Sequence, residues 1–346
     1  MTTSVRVLAF SGTYHSGRLS ETVEIVTMDV VLSFGVLFNL YTTFALTRTP
    51  INSLLSKLLL YNQNALDGSY CFVIIVVICS HNFTLFSPPG NPIPFVCYIL
   101  QSGFLNVFCR TMVVCNIVCQ CADRFWAVIY PRSYRIHTKR YIIVCYLGIP
   151  LYSACASLSR AFLTVIVDGH CDHHTSSITE RVVTTFDTVF RYGIPVILMI
   201  SLNITVMRKL RRTRLPSDAP PVASIQSTTD LTTDKDQHEK SSANKVLAAQ
   251  KAILINTVVL MSELSILQVV GITMNVLDAL DVIDFSVDSR ARLYFMFLLS
   301  TFSAINPFLT ILSMKSLRLT IIHQWREIIT VTRSMIMGCY KRCPTI

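Results

Sequence analysis

The chain has 346 residues, 52% hydrophobic and only 14% charged, with a formal net charge of +10 and a mean hydropathy of +0.52. Soluble domains carry about 25% charged residues, so a wet globular surface is excluded, and no basic patch interleaved with base-stacking aromatics points to nucleic acid. A bilayer core about 30 Å thick takes roughly 20 apolar residues in helical form, and seven stretches reach that length: 25–47, 58–80, 93–122, 141–166, 182–207, 252–277 and 293–313.

Residues 1–24 hold no secretory signal, since "VRVLAF" is too short for its apolar core. The first span carries Asn39 at mid-helix. The second carries Asp67 in "NALD", and "HNFT" then offers a glycosylation acceptor at Asn82. Ionisable groups inside a membrane are expensive and default to functional roles. The third span contains Cys97, Asn106 and Arg110, and it gives out at "CQCADRFWAVIYPRSYR", residues 119–135. Most of the twelve cysteines lie inside spans, where they read as small buried apolar residues. "CNIVCQC" reads as a buried helix face, and no metal site is assigned. The fourth span holds Pro150, and "HCDHH" (170–174) after it reads as a wet loop around Cys171, with zinc binding or pH sensing as the sharper alternative.

In the fifth span Asp187 and Arg191 stand four residues apart, close enough to pair on a helix, and Pro195 follows. Residues 208–250 open basic and turn Ser/Thr/Asp/Pro-rich, which predicts a disordered cytoplasmic loop whose basic start prolongs the fifth helix. Glu263 lies in the sixth span, four aspartates follow in the next loop, and Arg292 begins the seventh, which ends in "NPFLT". In residues 314–346, Leu317, Ile321, Trp325 and Ile328 share one helical face, the pattern of an amphipathic helix in the membrane interface. Cys339 and Cys343 follow among basic residues, a setting that suits S-palmitoylation.

Lys and Arg set the orientation of such a bundle. With the N-terminus outside, 22 of the 30 basic residues fall on the cytoplasmic side, so the charge reflects topology. The fold class predicted is an all-α membrane protein: a seven-helix transmembrane domain over 25–313, then a short amphipathic helix.

Seven spans, an Asp-Arg-aromatic at the inner end of the third and "NPFLT" in the seventh resemble the rhodopsin-like (class A) G-protein-coupled receptors over about residues 25–325. The resemblance implies a plasma-membrane receptor with an extracellular N-terminus, a heterotrimeric G protein and arrestin as partners, and no enzymatic activity. It implies that Arg124 is held by Asp123 when idle and released when active, with Phe125 and Pro131 continuing the motif and Asn306, Pro307 and Thr310 forming the seventh-helix switch. It also implies a buried polar cluster of Asn39, Asp67, Ser303 and Asn306 able to hold a sodium ion, with no other cofactor. Cys97 and Cys171, the two cysteines on the predicted oxidising side, are expected to form a disulfide. The departures are Phe125 in place of Tyr, Thr310 in place of Tyr, no tryptophan in the fourth span, and "SELSILQVV" in place of the usual Cys-Trp-x-Pro in the sixth.

The resemblance places the ligand between the third, fifth, sixth and seventh helices, where Asn106, Arg110, Asp187, Arg191, Glu263 and Arg292 are the candidate lining residues. Asn106 lacks the charge of the amine receptors, and Ser300 stands where opsins carry a retinal-binding lysine. Charged pocket and loop residues favour a peptide ligand, with a small molecule as the alternative. A transporter or channel is the reading of another class, but the two halves show no internal repeat. Two further expectations concern the charges. Arg110 lies about 21 Å outward of Arg124 and Glu263 about 18 Å outward of Lys251 at the helical rise, so the two are expected to pair. Ala249 stands where the family often has an acid that tethers the arginine, so only Asp123 is expected to hold Arg124, and basal activity should be appreciable.

Overall fold

The computed structural model describes residues 16–49, 51, 53–82, 94–162, 164–167, 170–173, 182–183, 185–186, 188–214, 233–280, 282–285 and 289–342. Within them run eight long helices: α1 (Ser16–Thr47), α2 (Leu54–Asn82), α3 (Phe104–Ile129), α4 (Pro131–Phe162), α5 (Ile194–Arg214), α6 (Thr233–Ala279), α7 (Arg290–Ser313) and α8 (Lys315–Arg342). In hydrocarbon every backbone polar group must be satisfied within the protein, which a helix achieves alone. Seven of these helices are long and apolar enough to cross a membrane.

The packing is that of a bundle turned toward lipid. Phe34, Leu37, Leu40 and Phe44 of α1 are exposed, whereas Asn39, Asp67, Asn116, Arg124 and Asn306 are buried. α3 is the central helix, in contact with α2, α4, α5 and α6, and α1 closes the bundle against α2 and α7. α1 comes close to α7 and α2 at Gly35, where a Cβ would stand 2.7 Å from Ala304 Cβ and 3.0 Å from Cys71 Sγ.

At one end of the bundle a π-helical turn, Val96–Gln101, leads into α3 through Gly103, whose φ of 77° is in the left-handed region that glycine adopts without a Cβ penalty. A hairpin of β1 (Thr164–Val167) and β2 (His170–His173) sets Ile166 opposite Cys171, and β1 packs against the turn that carries Cys97. The segment read as a wet loop is therefore, over His170–His173, a strand.

Three boundaries differ from expectation. Pro131, expected in a loop, begins α4, because the first helical position needs no amide proton. The element bends at His137 (φ −108°, ψ 17°), so its first two turns form a separate loop helix. The basic start of the stretch 208–250 prolongs the fifth helix to Arg214 as expected, but the far end, expected to be disordered, is helical from Thr233 onward. Residues 233–250 contain neither Pro nor Gly and continue without interruption into the apolar sixth span, which supplies the nucleus that a polar segment alone lacks. Residues 215–232 lie outside the described residues. Pro150 and Pro307 lie inside α4 and α7, but Pro195 is the second residue of α5, straight after a π-helical turn at Thr188–Gly193.

α7 breaks at Met314 (φ −109°, ψ 98°) and the chain turns into α8. Leu317 is fully buried in a cluster with Ala45, Leu46, Leu60 and Met314. Trp325 and Ile328, farther along the same face, are exposed, as an interfacial helix requires in the absence of protein cover.

Candidate functional site

α2 and α3 run antiparallel, and their polar side chains meet rung by rung, which orders the buried groups along the bundle. At one end Arg124 and Asp123, 6% and 1% exposed, form a buried ion pair. Asp123 is not its only member. Ser56 of α2 donates to Asp123 Oδ2 at 2.7 Å and is itself in contact with the Arg124 guanidinium. Tyr134, from the loop helix, donates to Asp123 Oδ1 and lies 2.7 Å from Ser53 Oγ. Trp126 and Tyr141 stack at 4.2 Å beside it, and Phe125 meets Tyr130 edge-on. The expectation that Asp123 alone holds Arg124 is thus corrected. Ser56 shares the guanidinium, and Tyr134 steadies the acid.

The next rung is made of amides. Gln63 Oε1 accepts from Asn116 Nδ2 at 2.8 Å and from Gln120 Nε2 at 3.1 Å, while its own Nε2 donates to Asp67 Oδ2 at 2.8 Å. Asn62 donates to Asn116 Oδ1 at 3.0 Å. On the facing α6, Asn256 is fully buried, and neither atom of its amide has a partner. It lies one turn from Leu260, which packs with Ile117 and Cys121 of α3.

Above this rung lies Asp67, with no exposed surface. Asn306 of α7 donates to its Oδ2 at 3.0 Å. Asn39 donates to the Gly35 and Ser303 carbonyls at 2.9 and 3.1 Å. Ser303 Oγ stands beside the carboxylate without completing a hydrogen bond. Asn39, Asp67, Ser303 and Asn306, expected to cluster, are therefore brought together. Asp67 Oδ1, Asn306 Oδ1, Asn39 Oδ1 and Ser303 Oγ are buried with no hydrogen-bond partner. A carboxylate with neutral oxygens left open is a donor set suited to a hard cation.

One rung farther, Arg110 of α3 stands 5.7 Å from the ring centroid of Tyr70, whose buried hydroxyl has no partner. The expected Arg110–Glu263 ion pair does not form. Glu263 Oε2 is buried without a hydrogen bond, and the two residues feel each other only through space. The helical rise gives a depth but does not fix azimuth, and Arg110 turns to the α2 side. Asp67 and Tyr70 both lie within its electrostatic reach.

Toward the Cys97 end, Asn106 donates to Met296 Sδ, and its Oδ1 is unpartnered. Arg191 binds the Tyr192 hydroxyl and lies over that ring; Asp187, its expected partner, lies outside the described residues. Arg292 is buried against Gly103, where a Cβ would meet its guanidinium at 3.4 Å. Thr310 is buried, and Pro307 sits inside α7 one residue after Asn306. Cys97 is disulfide-bonded. The side chains of Cys171, Asn82 and Cys339, and all of Cys343, lie outside the described residues.

Sequence reasoning missed Ser56, Gln63, Tyr70, Asn116, Gln120, Tyr134 and Asn256. The signal was present. Ser56, Gln63, Asp67 and Tyr70 repeat at spacings of seven, four and three, one polar stripe on an otherwise apolar helix. Asn116 and Gln120 stand in the run read only as a cysteine-bearing face.

Curated proteins give no match to the chain. The sequence profile of the family described as "7 transmembrane receptor (rhodopsin family)" matches residues 38–309, from mid-α1 almost to the end of α7. That range covers most of the chain and holds the Asp67 cluster, the Asp123–Arg124 pair and the Asn306–Pro307 motif, and the chain belongs to the rhodopsin family of seven-transmembrane receptors.

Proposed function

We propose that this receptor takes an extracellular ligand, a peptide in preference to a small molecule, and activates a heterotrimeric G protein through release of Arg124, with arrestin as a further cytoplasmic partner. The observation that carries the reading is the buried Arg124–Asp123–Ser56–Tyr134 lock at the end of a polar column. A guanidinium can exchange an acid for backbone carbonyls at a water boundary without being stranded, so the lock can open. The ligand enters from the Cys97 end, where Asn106, Arg110 and Arg292 approach the bundle axis and offer hydrogen bonds and charge to a peptide backbone and its termini.

The positive-inside distribution supports an extracellular N-terminus in the plasma membrane. A Cys97–Cys171 disulfide is supported by the bonded state of Cys97 and by the packing of β1, whose Ile166 is opposite Cys171, on the turn that carries Cys97. Asn82 closes α2 at that same end and is the proposed glycan acceptor; Cys339 and Cys343 are the proposed palmitoylation sites beyond α8's buried start. The open oxygens around Asp67 support a sodium ion held by Asp67, Ser303, Asn306 and Asn39, which would supply a positive charge beside the buried carboxylate.

A tag at the N-terminus tests topology and signalling together. Staining of intact cells and a second-messenger signal that rises with receptor dose are expected. A tag reached only after permeabilisation, or a signal no higher than in empty cells, contradicts the reading.

A further inference from the structure

Two opposite charges stand unpaired on neighbouring helices, one rung beyond Asp67 toward the Cys97 end. Arg110 of α3 is 8% exposed; its Nε has no hydrogen-bond partner, and it forms no ion pair among the described residues. Glu263 of α6 is partly buried, and its Oε2 also lacks a partner. Packing brings their two helices to one level. Val113, one turn from Arg110, and Leu267, one turn from Glu263, share an apolar cluster with Tyr70, Phe295 and Leu299. Arg110 lies over the Tyr70 ring on the α2 side, so it and Glu263 feel each other through space without touching. Two neutral groups are open as well: the Tyr70 hydroxyl beside Arg110, and Asn106 Oδ1 one turn outward on α3. Asp67, by contrast, is engaged, its Oδ2 accepting from Gln63 and Asn306. A few convergent polar groups in an apolar enclosure are the usual build of a ligand site.

The signs of these charges select the ligand. A lone carboxylate on Arg110 would add a third negative charge near Glu263 and Asp67. A lone ammonium on Glu263 would meet the fixed charge of Arg110. A group that carries both charges gives each protein ion its counter-ion and adds no net charge, as a desolvated site requires.

We infer that the ligand places between Arg110 and Glu263 a single residue bearing both a free ammonium and a carboxylate, the carboxylate on Arg110 and the Tyr70 hydroxyl, the ammonium on Glu263. Two sources supply this chemistry: a free amino acid, or a peptide whose amino-terminal residue is Asp or Glu. The inference rests on the reading that an extracellular ligand enters from the Cys97 end, and it names the charges that this ligand must carry.

The test reads binding and not signalling, so its failure is separable from failure of the receptor reading. The full chain in lipid nanodiscs is titrated with the common free amino acids and with Asp- and Glu-led dipeptide amides, and its thermal unfolding midpoint is followed. Each probe that binds is compared with its N-acetyl analogue and with the analogue whose carboxylate is a carboxamide. At least one probe with both charges should raise the midpoint saturably. Either blocked analogue should bind about tenfold more weakly or worse, because each leaves one buried charge without a partner. Glu263→Gln should erase the preference for a free ammonium. Arg110→Lys, which keeps the charge and loses the two-pronged guanidinium, should weaken the doubly charged probe. Saturation by free amino acids alone assigns a small ligand and saturation by the dipeptide amides a peptide, and both support the inference. Binding indifferent to acetylation or amidation, binding unchanged in the variants, or no midpoint shift with any probe overturns it. Glu263→Gln carries the comparison by itself if Arg110→Lys does not fold.

Discussion

At the scale of single residues, the behaviour of Arg124 depends on neighbours that do not belong to its own motif. Ser56 contacts both members of the ion pair, so Ser56→Ala removes one hydrogen bond from each side of the lock. A net hydrogen bond is worth about 1 kcal/mol, so basal G-protein turnover should rise several-fold while surface expression holds; unchanged basal turnover would place Ser56 outside the lock. Tyr134→Phe should act in the same direction and more weakly, since it leaves the guanidinium's own contacts in place. Arg110 and Glu263 form a contrasting case. With no direct pair to restore, exchanging the two residues should not rescue expression. Arg110→Ala should express poorly, because it leaves Asp67 and Glu263 buried without a nearby cation, a loss of roughly 3–5 kcal/mol. Glu263→Gln should be tolerated, since it removes one of two acids that share a single arginine. Immunoblots of surface-labelled receptor decide between these outcomes, and recovery in the exchanged variant would reinstate the pair.

At the scale of helices, the contact of α1 with α7 depends on Gly35, where even a methyl would stand 2.7 Å from Ala304 Cβ. Gly35→Ala should lower stability by about 1–3 kcal/mol, the usual range for overpacking. A thermal midpoint equal to wild type would mean that the helices separate at no cost. Spans, their order and the tail helix were legible in the sequence because length and apolarity alone determine them. The ends were less so. Pro131 and residues 233–250 read as loop by composition, yet helical geometry accepts a proline at its first position and lets a polar segment extend an apolar helix already formed. The candidate site divides in the same way. Asp67, Asn306, Asp123 and Arg124 stand out in sequence as charged or motif residues, whereas Gln63, Gln120 and Asn256 gain meaning only when α2, α3 and α6 are set side by side. Spacing along one helix places a side chain at a depth, but its partner depends on the rotation of the neighbouring helix. For that reason Arg110 lies over Tyr70 and not beside the Glu263 that its spacing suggests.

At the scale of the whole molecule, apolar side chains face outward to lipid and a polar column runs inside, from Arg110 through Asp67 and the amides to Arg124. The proposed ligand site at the Cys97 end and the proposed G-protein site at the Arg124 end would be joined by this column, in which Gln63, Asp67, Gln120 and Asn306 hydrogen-bond across α2, α3 and α7. Helix motion at either end therefore perturbs the same buried network, which is the physical requirement for coupling between distant sites. The most direct test is guanine-nucleotide exchange on a panel of heterotrimeric G proteins by the purified receptor in lipid nanodiscs, with wild type, Asp123→Asn and Arg124→Gln compared at equal amounts. Wild type should exceed the receptor-free rate for at least one G protein, Asp123→Asn should exceed wild type several-fold, as expected when about 1 kcal/mol is removed from the idle state, and Arg124→Gln should fall to the receptor-free rate. Exchange by Arg124→Gln equal to wild type, or all three at the receptor-free rate with every G protein, would contradict signalling through release of Arg124.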